Sequence, residues 1–313
     1  MVMTDRPGVT AAELLGANPS RLLTTKSWPT GFDLLDHDLA GGLHAGELTL
    51  IGGAPGLGKT TLALQMARNI ARAGSEVLYV CYEHSEEELL TRLLLMESGL
   101  AHPYERALGR SRGELPASVD AELQFEAAAA AVRNFGEQIR LVRASGSGAG
   151  PLDVDALTAS EGSVVFVDYL QKVPSLIPRA SGDDQVAEVV VRLKDFALRS
   201  GAPVVALVAS DKSGLDGSRL RLSDLRGSTA LVYEADVVLI LNDKQGIVAR
   251  HHLVYGGSDS ARFQDYLVCT IEKNRSGKSP IELELRKRFT HGCFDPEISH
   301  VVEQLIDGRV FVE

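Results

Sequence analysis

Residues 53–60 read Gly53-Ala54-Pro55-Gly56-Leu57-Gly58-Lys59-Thr60 and match the pattern GxxxxGK(S/T) in full. Each residue type has a physical task in that pattern. Glycine accepts positive φ, so the backbone can curl until successive N–H groups converge on one anion. A helix that starts at the lysine directs the positive end of its dipole at the same point. The lysine reaches the terminal phosphates of a nucleotide, and the threonine hydroxyl ligates the accompanying Mg²⁺. The pattern needs a strand before it and a helix after it. Both are present: an apolar run at 47–51 precedes the loop, and Leu62, Met66 and Ile70 recur at helical spacing behind it. Gly53, Ala54, Pro55, Gly56, Leu57, Gly58, Lys59, Thr60 and Thr61 are therefore the candidate binding residues, and ATP with Mg²⁺ is the ligand they point to.

Outward from the loop, apolar runs alternate with helical stretches. Strands are predicted at 47–51, 77–82, 139–142, 164–167, 204–208 and 237–241, and helices at 60–73, 86–98, 120–135 and 184–200. Most of the runs are continuously apolar, the signature of strands buried on both faces. Their alternation with helices predicts an α/β fold, that of a P-loop NTPase with a mostly parallel, doubly wound sheet. Runs 267–271 and 281–285 differ, because Ile281, Leu283 and Leu285 alternate with charged residues. They predict a C-terminal antiparallel hairpin at one edge of the sheet. Residues 1–25 read as an arm or linker with a short helix at 11–15, residues 26–300 as one ATPase domain, and 301–313 as a tail.

Two strands end in carboxylates. Run 164–167 ends at Asp168, a charge that is costly at a buried strand tip unless a metal compensates it, so Asp168 joins Thr60 as a candidate Mg²⁺ residue. Run 77–82 ends at Glu83, which sits on the strand expected next to the phosphate loop and is the candidate base for the attacking water.

Composition narrows the rest. The chain has 313 residues, a formal net charge of −10, and 44% hydrophobic residues. A globally acidic protein does not coat nucleic acid, although a local basic loop can still hold phosphates. Cys81, Cys269 and Cys293 form no CxxC pair, which fits a reducing cytoplasm rather than a disulfide or zinc framework. No apolar run reaches about 18 residues, so no membrane span is expected. His251-His252 lacks a third ligand and reads as strand surface rather than a metal site.

The chain resembles the RecA-like ATPase core of the DnaB-type replicative helicases, within the wider RecA/RadA/KaiC group. The carrying residues are Thr30-Gly31-Phe32-Asp33-Leu34-Leu35-Asp36, the phosphate loop, Tyr82-Glu83-His84-Ser85-Glu86-Glu87, Val167-Asp168-Tyr169-Leu170-Gln171, Leu222-Ser223-Asp224-Leu225-Arg226-Gly227-Ser228, Glu234-Ala235-Asp236 and Glu272-Lys273-Asn274-Arg275. The resemblance implies that Glu83 is the catalytic glutamate and Asp168 the Walker B aspartate. It also implies that Lys273 and Arg275 are a Lys-x-Arg pair entering the next subunit's site in a hexameric ring. Segments after Asp168 and after Ser210 then face a central channel and single-stranded DNA, with Arg179, Lys212, Arg219, Arg221 and Arg226 as candidate contacts. The residues alone say that Lys273 and Arg275 lie at a hairpin turn and project outwards, and that a basic, glycine-containing loop can track a DNA backbone.

Three features depart from the family pattern. Only about 25 residues precede the core, so the helical N-terminal domain of replicative helicases is missing from the sequence. Ala209 stands where the family has a glutamine that senses the γ-phosphate, and alanine cannot hydrogen-bond a phosphate. The stretch between Leu141 and Val164 is short and glycine-rich, which disfavours a full helix there. Two functions stay open: a DnaB-like helicase or single-stranded DNA translocase, and a RecA/RadA/KaiC-like regulatory or assembly ATPase that unwinds nothing.

Overall fold

The computed structural model describes residues 9–17, 26–101, 119–144, 162–177, 182–210, 219–249 and 263–307. Arg179, Lys212, the histidines at 251 and 252, and the glycine-rich stretch at 145–161 lie outside the described residues.

Twelve strands are described: β1 (Ser27–Trp28), β2 (Leu43–His44), β3 (Leu48–Gly53), β4 (Val77–Cys81), β5 (Ile139–Arg143), β6 (Val164–Asp168), β7 (Val204–Ala209), β8 (Val237–Asp243), β9 (Tyr266–Asn274), β10 (Ile281–Arg288), β11 (Cys293–Phe294) and β12 (Ser299–His300). The large sheet runs β11-β10-β9-β8-β3-β7-β6-β4-β5, with β12 also on β10. From β8 to β5 all pairs are parallel, and from β8 to β11 they are antiparallel. The predicted parallel core and C-terminal hairpin are thus both present. Every residue of β3 and of β6 is buried, which is why those runs carry no polar alternation.

Helices cover both faces. Residues Ile51, Leu62, Met66, Ile70, Tyr79, Phe166 and Leu207 share one core with the helices Lys59–Arg72 and Glu86–Ala101. Residues Leu50, Val80, Val165, Val189, Leu193 and Ala206 share the other with the helix Gly182–Ser200. Period-2 alternation decides the split, since neighbouring residues of one strand feed opposite faces.

Strand order corrects one expectation. Strand β4, which leads to Glu83, does not lie next to the phosphate-loop strand, because β7 and β6 stand between β3 and β4. A helical crossover lets consecutive strands skip positions, and the apolar pattern of a run carries no record of its neighbours. Val77, Tyr79 and Cys81 all pack on the side of the helix Lys59–Arg72, and Glu83 lies in the bend two residues past the end of β4.

Residues 301–307, read as a tail, are instead docked. Ile306 N–H donates to the Ile247 carbonyl at 2.8 Å and Ala249 N–H to the Gln304 carbonyl at 2.9 Å. Glu303 pairs with Lys244 at 2.7 Å. The short helix near the N-terminus spans Ala11–Ala17. Among the described residues no helix is long and apolar enough to cross a membrane.

Candidate nucleotide site

The loop leaves β3 at Gly53 and enters the helix Lys59–Arg72 at Gly58. Gly56 and Gly58 both adopt φ +83°, a region that favours glycine. Gly58 has a second reason to lack a side chain: a Cβ there would lie 2.8 Å from the Phe289 ring and 3.0 Å from the Phe294 ring. That aromatic pair meets edge to face at 5.4 Å and forms the floor of the loop. The first N–H groups of the helix, at Lys59, Thr60 and Thr61, have no intrahelical acceptor and remain available to an anion. Lys59 lies across the loop, donating to the Gly53 carbonyl at 2.7 Å and the Ala54 carbonyl at 3.0 Å. Desolvation lowers its pKa, and the charges of Asp168 and Glu83 oppose that shift.

Beside the loop, Thr60 Oγ1 donates to Asp168 Oδ2 at 2.8 Å. The buried Tyr79 hydroxyl donates to the same oxygen at 3.1 Å. Asp168 is 1% exposed. Burial pushes its carboxyl above the ordinary range, while the two hydroxyl donors and His84 pull the other way. One buried carboxylate, one threonine hydroxyl and an adjoining phosphate cradle form a donor set that suits Mg²⁺, which commonly takes one or two carboxylates and completes its shell with substrate phosphates and water. No group of three or more His, Cys, Asp or Glu suited to a metal occurs among the described residues, so a closed all-protein cage is not what the site offers. The sequence reading missed Tyr79. Nothing local marks it; the β4–β6 register, which pairs Tyr79 with Phe166 and Cys81 with Asp168, brings its hydroxyl to the carboxylate.

Glu83 follows β4 and is exposed. Its charge acts on Lys59, Asp168 and Cys81, which places it in the same electrostatic field. The neighbouring backbone is pinned to β6 by Tyr82 N–H, which donates to the Asp168 carbonyl at 2.7 Å. His84 contacts Arg92 at 3.2 Å and Glu88 at 3.6 Å.

Lys273 and Arg275 lie at the other end of the sheet. Asn274 is level with Val237 and Thr49, near the start of β8 and β3, whereas the phosphate loop leaves the far end of β3. Both side chains fold back rather than project. Lys273 Nζ donates to the carbonyls of Val232, at 2.6 Å, and Ala235. Arg275 donates to Asp236 at 2.9 Å and to the Tyr233 carbonyl at 3.4 Å. They cap the C-terminal end of the helix Ser228–Glu234, where free carbonyls attract cations.

The basic set divides. Arg219 is 7% exposed and is held by Glu282 and Thr270, so the buried pairing withdraws it from the residues expected to meet DNA. Arg221 is tied to Glu272 at 2.8 Å and to Asp307. Those partners come from β9 and from the segment after β12, which is why a count of local charges did not find them. Arg226 is exposed, and its guanidinium lies over Gly182 at the start of the helix Gly182–Ser200.

Loop, strand tips and sheet order together define a P-loop protein of RecA-like architecture. The family described as DnaB-like helicase C terminal domain matches residues 27–291, and the chain belongs to it. The replicative DNA helicase DnaB of Treponema pallidum (strain Nichols) is 32% identical over 268 residues, covering 83% of this chain and 54% of that protein. The DNA repair protein RadA of Mycolicibacterium smegmatis is 42% identical over 78 residues, 25% of this chain and 16% of that protein. Among solved structures, a DnaB-like replicative helicase, determined in a study of its interactions with primase, has a TM-score of 0.70 at 21% identity, covering 91% of this chain and 68% of that one. A second, solved as an ATPase domain, has a TM-score of 0.69 at 21% identity, covering 91% and 98%. The structural likeness supports the fold. The chain spans about half the length of the DnaB relatives it matches, 54% in the Treponema case.

Proposed function

We propose that the chain is an ATP-driven motor, a helicase or single-stranded DNA translocase that hydrolyses ATP at interfaces between copies of itself in a ring, in the cytoplasm. One observation carries this reading. The loop, Thr60 and Asp168 converge at one end of the sheet, while Lys273 and Arg275 lie at the other and cannot reach the site of their own chain. A site whose cations come from the next copy ties turnover to assembly.

In this motor each residue has one role. The loop N–H groups and Lys59 hold the phosphates. Thr60 and Asp168 would hold Mg²⁺, which when bound would supply charge neutralisation on the phosphate oxygens. Glu83 takes a proton from water as the water oxygen bonds to the γ-phosphorus and the bond to the β–γ bridging oxygen breaks, giving ADP and phosphate. Lys273 and Arg275 of the neighbouring copy, released from their helix cap, offset charge on the transferring group. Arg226, with Arg179 and Lys212, supplies phosphate contacts to single-stranded DNA.

A second reading, a regulatory ATPase that switches partners without unwinding, is favoured by Ala209. The tip of β7 lies level with Gly53 and presents no polar side chain to the nucleotide. Phosphate release measured with and without single-stranded DNA, alongside strand displacement on a forked substrate, separates the two. Stimulation and displacement support the motor, and ATPase activity with neither supports the regulator.

A further inference from the structure

Strands β6 and β7 pair over three registers, Val165 with Val204, Phe166 with Val205 and Val167 with Ala206. Strand β7 then continues beside β3 as far as Ala209, and its last residues outrun β6. A side chain closes the gap at the tip. Gln171 Nε2 donates to the Ala209 carbonyl at 3.3 Å, and Ala209 N–H donates to Gln171 Oε1 at 3.1 Å. A carboxamide offers one donor and one acceptor to a strand, as a peptide unit does, so Gln171 stands in for the strand residue that β6 lacks. On its other side the Ala209 carbonyl also accepts the Arg226 N–H at 3.3 Å, and Ser210 bridges Leu225.

A continuous series of contacts results. Thr60 holds Asp168 at the β6 tip. Gln171, three residues on, clasps Ala209. Ala209 holds the turn that carries the exposed Arg226. We propose that Gln171 is a positioning residue that transmits the state of the nucleotide site to Arg226 and so makes affinity for single-stranded DNA depend on the bound nucleotide. This rests on the motor reading above. It also removes the difficulty raised by Ala209: the coupling amide sits in the turn that follows β6 and grips position 209 through its backbone, so that position needs no functional side chain. The peptide units of Ala209 do the work, and any residue there presents them.

The test uses the full chain and a fluorescent oligothymidine, whose Kd is measured with ADP and with a non-hydrolysable ATP analogue. For the wild type the two values should differ by roughly 5-fold or more. In Gln171→Ala the ratio should fall to about 1, with affinity for each nucleotide within about 2-fold of wild type. Gln171→Glu keeps the acceptor, loses the donor and preserves shape, so it should give an intermediate ratio; it also decides the matter if the alanine variant does not fold. Arg226→Ala should weaken DNA binding in both nucleotide states. A wild-type ratio retained in both Gln171 variants overturns the inference and leaves the motor reading standing. A wild type that binds both nucleotides yet shows no DNA affinity in either state overturns the motor reading, and the inference falls with it.

Discussion

Thr60 and Asp168 are 108 residues apart in sequence and meet at 2.8 Å. The contact joins the first turn of the helix after the phosphate loop to the tip of a fully buried strand. Asp168 receives a second hydroxyl, from Tyr79, on the same oxygen. A carboxylate held there by neutral donors is poised for a cation and is costly to the fold without one.

That cost is measurable. Burial raises the folded-state pKa of Asp168 above its ordinary value of 3.8. Its contribution to stability is therefore fully present below that ordinary value and is lost as pH rises through the raised one. Asp168→Asn does not titrate. In thermal unfolding of the ligand-free chain, the variant's advantage should be smallest near pH 4 and grow towards pH 7, while ATP turnover falls by at least about 100-fold. An advantage that shrinks as pH rises would contradict the electrostatic account.

Tyr79 is tested by Tyr79→Phe. The ring stacks on Phe166 at 5.7 Å and would stay, so stability should change by no more than about 1 kcal/mol. The lost donor frees Asp168 to rotate. The Mg²⁺ concentration for half-maximal nucleotide binding should rise by about 10-fold. An unchanged Mg²⁺ requirement would show that the hydroxyl orients nothing.

Gly56 and Gly58 offer a matched pair, since both sit at φ +83°. A Cβ on Gly56 meets nothing within 4 Å, whereas one on Gly58 strikes the Phe289 and Phe294 rings. Each alanine variant carries the left-handed strain of about 1–2 kcal/mol, and Gly58→Ala adds a clash. Gly58→Ala should show the larger drop in unfolding midpoint and the larger loss of ATP affinity. Equal drops would mean the aromatic floor yields freely.

The cations at the far end of the sheet are separable from the rest by subunit mixing. A Lys273→Ala/Arg275→Ala chain keeps its own loop, and a Lys59→Ala chain keeps its cations. Each alone should lose nearly all turnover, and mixed rings should recover part of it. Loss of the helix cap should lower the stability of the double variant by about 1 kcal/mol. Mixtures with no recovery, in preparations shown to form mixed rings, would place Lys273 and Arg275 in structure alone.

How far the sequence could be read follows from where each signal resides. The phosphate loop and the strands are local signals. Six consecutive buried residues in β3 cannot be polar, so the run announces itself. Asp168 and Glu83 were visible as charges that end such runs. Strand order was not visible, because the neighbours of β4 are chosen by crossovers and not by its own residues. The partners of Arg219 and Arg221, the cap under Lys273, and the Tyr79 hydroxyl all depend on residues far away in sequence. Each became clear only once the sheet register was known.

The most direct test compares wild type with Lys59→Ala. Lys59 is held in the chain only by two loop carbonyls among the described residues, so the variant should fold. With Mg²⁺ and ATP, the wild type should bind nucleotide and release phosphate, and the variant should lose turnover by at least about 100-fold. Undiminished turnover in the variant, or a wild type with no affinity for ATP, would contradict the assignment of this loop as the phosphate site.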